Sequence, residues 1–281
     1  EGVETYEVRD AGGRTLGIFY ADFFPNRQKR AGAWMNLLSQ RDASSPALGV
    51  IAANITEGAD GEPPLLSVDE VETLFHEFGH LVHFFLMDSE EVGLRDVAWD
   101  FVELPSQIME NWVHFKNCLD IFARNWKTGE KIPDELFAKF DASRKFMGAS
   151  ASMRQLSFAK IDLDMHINPA KYLDSPDIEQ TARDTLAAYS RDTSEPVPSI
   201  LPRFTHLFGD PVGYAAGYYS YKWAEVLDAD AFTRFEREGV LNPETGREFA
   251  DKILRVGNTI DADAAFRNFM GRDPDVSALV N

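Results

Sequence analysis

A single cysteine, Cys118, stands in 281 residues, so no internal disulfide can form and nothing calls for an oxidising compartment. A buried thiol acting as a small hydrophobe is the expectation for it. Basic residues are also few: 28 Lys and Arg against 46 Asp and Glu leave a formal net charge of −18. A surface so acidic repels phosphate backbones and anionic bilayers, which speaks against nucleic acid and membrane as partners. Long apolar runs are missing. The nearest candidate, Leu81 to Met87, is interrupted by His83 and falls far short of the roughly 18 residues that cross a bilayer. The chain opens on Glu1 with no basic stretch leading into an apolar one, so a secretory signal is not expected. These features predict a cytoplasmic protein and suggest a cut through a longer polypeptide.

What is present is an ordinary globular balance, 44% hydrophobic and 26% charged, enough to build a packed core. The first 66 residues read as strands and loops. Val3 to Val8 alternates, Asp10-Ala11-Gly12-Gly13 supplies a turn, and Thr15 to Phe23 resumes with β-branched and aromatic residues, which predicts a hairpin. Ala47 to Ile55 is a further strand, and Glu57 to Pro64 a loop. From residue 67 the pattern turns helical. Ser67-Val68-Asp69-Glu70 has the form of a capping box, and Val71, Leu74, Phe75, Phe78, Val82 and Phe85 follow at helical spacing. Further helices are predicted over Val102 to Phe122, Asp134 to Phe146, Ala149 to His166, Ile178 to Ser190, Gly217 to Glu238, Pro243 to Val256 and Asp261 to Met270. The expected fold is mainly α (α+β), one domain over residues 1–281 with a small antiparallel sheet in residues 1–66 and a helical part over 67–281.

Histidine is scarce, six in the whole chain, yet two of them fall four residues apart in His76-Glu77-Phe78-Gly79-His80. On a helix that spacing puts both rings on one face about 6 Å apart, close enough for two nitrogens to meet one ion at about 2.1 Å. Glu77 flanks the pair without being forced to bind, so its carboxylate can take a proton from water held there. Gly79 removes a side chain where close packing needs room. A catalytic zinc wants a third protein ligand and one open position. Glu103 is the candidate: it opens the next helix, 23 residues after His80, between the apolar Val102 and Leu104. The alternative is an early-helix acid favoured by the macrodipole. Asp100, Gln107 and Glu110 are candidates for orienting the imidazoles. His83 lies near the ligand face but is expected to pack or support, since one straight helix can hardly bring three rings to a tetrahedral ion. His114 and His166 read as structural. Tyr214, Tyr218 and Tyr221 fall at i, i+4 and i+7, a spacing that would align three phenols on one helical face, where they could donate to an oxyanion or simply pack.

Three segments resemble the thimet oligopeptidase family of zinc metallopeptidases, in its oligopeptidase A and dipeptidyl carboxypeptidase branch. They are Phe75 to His80, Trp99-Asp100-Phe101-Val102-Glu103-Leu104-Pro105-Ser106-Gln107 continuing through Met109-Glu110-Asn111-Trp112, and Gly213-Tyr214-Ala215-Ala216-Gly217-Tyr218-Tyr219-Ser220-Tyr221-Lys222-Trp223. The likeness runs from the Tyr20 to Trp34 region to the C-terminus and corresponds to the family's C-terminal catalytic half, with Gly209-Asp210-Pro211-Val212 inserted after His206. It implies a zincin-like helical catalytic domain with one zinc held by His76, His80 and Glu103, and Glu77 as general base. It implies that Tyr214, Tyr221 and His206, with Tyr218 beside them, contact substrate, the first three helping to stabilise the tetrahedral intermediate. The function expected is hydrolysis of short, unstructured peptides. The alternative is a zinc-binding fragment, weak or inactive alone, that binds peptides or needs its missing N-terminal half or a separate partner chain.

Overall fold

The computed structural model describes residues 2–42, 45–58, 61–190 and 199–280. Ala59 and Asp60 of the predicted loop lie outside that set. The described chain divides into two compact units, one of residues 1–137 with 225–281 and one of residues 138–224. It is mainly helical with a small sheet near the N-terminus, as the sequence leads one to expect. Among the described residues no helix is long and apolar enough to cross a membrane.

The sheet belongs to the first unit. Strands β1 (Glu4–Arg9) and β2 (Thr15–Asp22) form the predicted antiparallel hairpin. Its turn is held by Asp10, whose Oδ1 accepts the N–H groups of Gly12 and Arg14 at 2.9 and 3.0 Å, while Gly13 takes φ +83. The sequence reading misses β3 (Trp34–Ser39), which pairs antiparallel with β4 (Ala47–Ala52). The strand order is β1-β2-β4-β3, and β2 and β4 run parallel, so the sheet is mixed and not wholly antiparallel. Turn residues dictate the first hairpin locally. They carry no signal for how two hairpins meet edge to edge, which the shared apolar face decides.

Helix α1 (Val68–Leu86) lies on that face. Its start carries the capping box: Ser67 Oγ accepts the Glu70 N–H at 3.3 Å and Glu70 Oε2 accepts the Ser67 N–H at 2.8 Å, worth about 1 kcal/mol. Two strand glycines make the seat. A methyl group on Gly17 would sit 2.4 Å from the Phe85 ring, and one on Gly49 would sit 2.5 Å from Leu81. Leu81 and Phe85 therefore press on bare backbone and are fully buried, each contributing about 1.5–3 kcal/mol.

The helix predicted over Val102 to Phe122 is broken in two: α2 (Leu104–Glu110) and α3 (Lys116–Phe122), joined by a tight turn at Asn111–His114. Phe115 is extended at φ −111, ψ 125. Tertiary packing overrides the helical pattern here: Trp112 donates its indole N–H to the Val240 carbonyl at 2.7 Å and meets Phe232 and Phe235 edge-on at 5.0 Å.

The remaining helices are α4 (Asp134–Arg144), α5 (Gly148–Ile167), α6 (Pro169–Leu173), α7 (Ile178–Thr185), α8 (Thr205–Phe208), α9 (Ser220–Glu238), α10 (Pro243–Phe249) and α11 (Ala262–Met270). The short α6 and α8 have no counterpart in the sequence reading, too brief to show a period. Cys118 is buried, as expected. The second unit has its own core, in which Ile161, Tyr172, Ala182, Leu201, Phe204 and Tyr218 meet.

Candidate metal centre

His76 and His80 stand one turn apart on α1, their ring centroids 4.9 Å apart and their planes nearly perpendicular. The stripe of Phe78, Leu81, Val82 and Phe85 faces the core, so burial of that stripe sets the rotation of the helix and turns the two imidazoles the other way. Glu103 arrives from the N-terminal end of α2. What lets it approach is Gly79: a methyl group there would lie 2.4 Å from the Pro105 carbonyl oxygen and 2.7 Å from Ser106 Cα. Two backbones touch at that point, and the carboxylate drops between the rings. Its Oε2 is 3.3 Å from His76 Nε2 and 3.2 Å from His80 Nε2.

Those distances bear on whether the group fits a metal. Ligand atoms at about 2.0–2.1 Å from a tetrahedral zinc are about 3.3–3.4 Å from one another. Both nitrogen–oxygen separations already match such an edge, and the three donor atoms all lie within 4.8 Å of one another. Two imidazoles and one carboxylate suit zinc, and three protein ligands leave a position open.

The surroundings hold each donor in place. Glu103 occupies the N-cap position of α2 yet makes no side-chain cap to its own helix. Instead its Oε2 lies 2.9 Å from the hydroxyl of Ser106, which also lies 2.9 Å from the Glu103 carbonyl oxygen. Burial would raise the Glu103 pKa, but hydrogen bonds from both imidazoles outweigh it and hold the carboxyl well below the usual carboxylate range. Burial opposes the charged form of His76 as well. Its hydrogen bonds to Glu103 and Glu110 win, and its pKa stands at about 10. Both results describe donors whose lone pairs a divalent cation would engage in place of protons.

Glu110, one of the three candidates for orienting the imidazoles, reaches His76. Its Oε1 is 2.6 Å from His76 Nδ1, the nitrogen facing away from Glu103. Asp100, Gln107 and Glu110 stand at −3, +4 and +7 from Glu103, so spacing alone keeps all three on one face. Glu110→Ala is expected to weaken zinc binding by about 10- to 100-fold while the fold holds, because that side chain is partly exposed. Competition with a chromophoric chelator measures it, and an unchanged affinity would remove Glu110 from the site.

Glu77 is buried beside the pair. Burial raises its pKa, an effect that the neighbouring His76 and His80 oppose, and the Met35 backbone N–H donates to its carboxylate. His83 does not join the ligands. It is fully buried, and burial lowers its pKa to about 3, so it is a neutral packing ring. His114 joins Glu72 within the first unit, Nε2 to Oε1 at 2.8 Å.

The three candidate tyrosines, Tyr214, Tyr218 and Tyr221, lie in the second unit. Residues 213–219 are turns, and the helix begins only at Ser220, so Tyr214 and Tyr218 are not on a helical face with Tyr221. The three phenols cluster all the same. Tyr214 and Tyr221 stack at 5.5 Å and 7°, and the Tyr221 hydroxyl donates to that of Tyr214 at 3.0 Å. His206, on α8, lies edge-on to Tyr214 at 5.2 Å, to Tyr218 at 5.5 Å and to Tyr221 at 6.2 Å. The Gly209 to Val212 segment, which follows His206, leaves that contact intact. Asp210 Oδ1 accepts from the Val212 and Gly213 N–H groups at 3.0 Å each, and the Tyr214 N–H returns to the His206 carbonyl at 3.0 Å. Tyr218 itself is buried against Phe204 at 4.9 Å and Phe158 at 5.8 Å.

Comparison with known proteins gives the family. The model of the family described as Peptidase family M3 matches residues 1–281. The chain belongs to peptidase family M3. Oligopeptidase A of Escherichia coli (strain K12) is 38% identical over 290 residues, covering 99% of this chain and 42% of the relative. Organellar oligopeptidase A, chloroplastic/mitochondrial, of Arabidopsis thaliana is 38% identical over 296 residues, covering 99% and 37%. Dipeptidyl carboxypeptidase of Escherichia coli (strain K12) is 35% identical over 290 residues, covering 99% and 41%. The chain thus spans about two-fifths of the length of these M3 relatives.

Proposed function

We propose that the chain is a zinc metallopeptidase that hydrolyses short, unstructured peptides, with one zinc held by His76, His80 and Glu103 and with Glu77 as general base. The observation that carries the proposal is the convergence of three donors at separations close to tetrahedral edges, with a buried carboxylate at the very next helix position. Zinc bound there would supply Lewis acidity to a peptide carbonyl and to water. Glu77 takes the proton from the attacking water and returns it to the leaving amine; burial, which raises its pKa, brings it toward the working range for that exchange. Glu110 fixes the tautomer of His76 by accepting its Nδ1 proton. β3 is an edge strand whose Met35 touches the base, so an extended peptide is the substrate form that such an edge would take.

Tyr214 and Tyr221, with His206, hold substrate and donate to its oxyanion in this proposal, a part that draws on their motif and on their mutual hydrogen bond. Tyr218 contributes by anchoring the segment through its buried ring. The cytoplasm is the proposed location, since a chain with one cysteine makes no use of an oxidising compartment.

The share of the relatives' length that the chain spans favours a second reading: a zinc-binding part that captures peptides and cleaves them weakly, or only with a separate partner chain. Incubation of the chain with an internally quenched peptide decides between them. Cleavage that stops with chelator and returns with zinc is expected. Zinc binding without cleavage selects the second reading, and cleavage indifferent to chelator refutes both.

A further inference from the structure

We propose that Asp162 is a positioning residue for the tyrosine pair, clamping the segment that carries Tyr214. The proposal rests on the reading that those phenols act on substrate. Asp162 lies on α5 with 0% exposure. Its Oδ1 accepts the Ala216 N–H at 2.8 Å and its Oδ2 accepts the Tyr218 N–H at 2.9 Å. One turn later on the same helix, His166 places Nδ1 2.9 Å from Oδ1 and 2.8 Å from the Asp162 backbone carbonyl. The carbonyl can only accept, so Nδ1 carries the proton and donates to it, with Oδ1 close by. A carboxylate buried this fully is costly unless it is well hydrogen-bonded, and here two backbone N–H groups bond it while the His166 ring lies beside it.

The segment it holds needs holding. Residues 213–219 precede the first turn of α9, so no helical ladder pairs their N–H groups. Ala216 takes φ +56, a left-handed conformation that is strained for a residue with a Cβ. Gly213 takes φ +45, and a methyl group there would lie 2.7 Å from the His206 carbonyl oxygen. Such a backbone persists only where its surroundings over-determine it. Asp162 fixes it at two amides that bracket Gly217, and Tyr218 is drawn into its aromatic cage. Held in this way, Tyr214 stays in register against His206 and within hydrogen-bond reach of Tyr221. Asp162 acts through the phenols and not on the substrate.

The test is steady-state hydrolysis of an internally quenched peptide, with zinc content measured alongside. Asp162→Asn puts an amide donor against a backbone donor. It is expected to lower kcat by about 30- to 100-fold, as an ångström-scale misplacement does, with KM changing less than about threefold and zinc content unchanged. A variant carrying both Tyr214→Phe and Tyr221→Phe is expected to lose kcat on its own. Adding Asp162→Asn to that variant should then cost less than about threefold more, because the two changes act through one device. A residue that merely supports the fold would instead give losses that multiply. Should Asp162→Asn not accumulate as folded protein, His166→Ala, at a ring that is 34% exposed, carries the same cycle with a smaller expected loss. Full activity of the double tyrosine variant sinks the role of the phenols and the clamp's catalytic meaning with it. Loss in that variant, with full kcat in Asp162→Asn or in its substitute His166→Ala, or with multiplying losses, overturns the clamp alone.

Discussion

Glu77→Gln is expected to lower peptide turnover by about 10³-fold or more and to leave zinc content near one per chain. The reason lies in what the substitution preserves. Glutamine keeps the shape of the side chain, and its amide oxygen can still accept the Met35 N–H. The helix stays seated on Gly17 and Gly49, and His76, His80 and Glu103 are untouched. What disappears is the ability to accept and return a proton at that place. Elemental analysis for zinc and a continuous peptide assay on the same sample separate the two quantities. Near-normal turnover would refute the role of Glu77, and loss of zinc along with turnover would move it into the ligand set.

Gly79→Ala should be nearly as damaging, although alanine is the better helix former by about 1 kcal/mol. The new methyl group would lie 2.4 Å from the Pro105 carbonyl oxygen and 2.7 Å from Ser106 Cα, both backbone atoms that cannot rotate away. The first turn of α2 must retreat by about 1 Å to restore ordinary contact. That turn carries Glu103 and Ser106, so the carboxylate withdraws from both imidazoles together. Zinc affinity is expected to fall by about tenfold or more, and stability by about 1–3 kcal/mol despite the propensity gain. Chelator competition and urea unfolding measure the pair of effects. Unchanged affinity with raised stability would show that the close approach plays no part in building the site.

The local parts of this arrangement were legible in the sequence. The capping box at Ser67, the apolar stripe and the histidine pair all belong to one helix, where spacing translates directly into geometry. The first hairpin announced itself by its turn. Legibility ended where contacts between distant segments decide. β3 has no strong alternation and finds its place only beside β4. The helix over Val102 to Phe122 broke at Phe115 because Trp112 seeks the aromatic core around Phe232. Glu103 could be nominated from its position after α1, but its convergence with both rings depends on a glycine that sequence could only describe as room. Glu110 could not be told from Asp100 and Gln107. The clamp at Asp162 left no mark beyond its spacing from His166, since its amide partners lie 54 and 56 residues away.

Glu103 holds the N-cap position of α2 with a helical backbone, φ −89 and ψ −9, and makes no side-chain cap to its own helix. The residue is 4% exposed, and a charge buried so deeply costs stability unless the two imidazoles beside it, or a metal ion, satisfy it. Selection for heat resistance alone, blind to catalysis, would therefore press on this position early and favour its loss. Under the proposed zinc site, a glutamate at this position is a compromise in which the scaffold accepts a buried charge for the sake of chemistry.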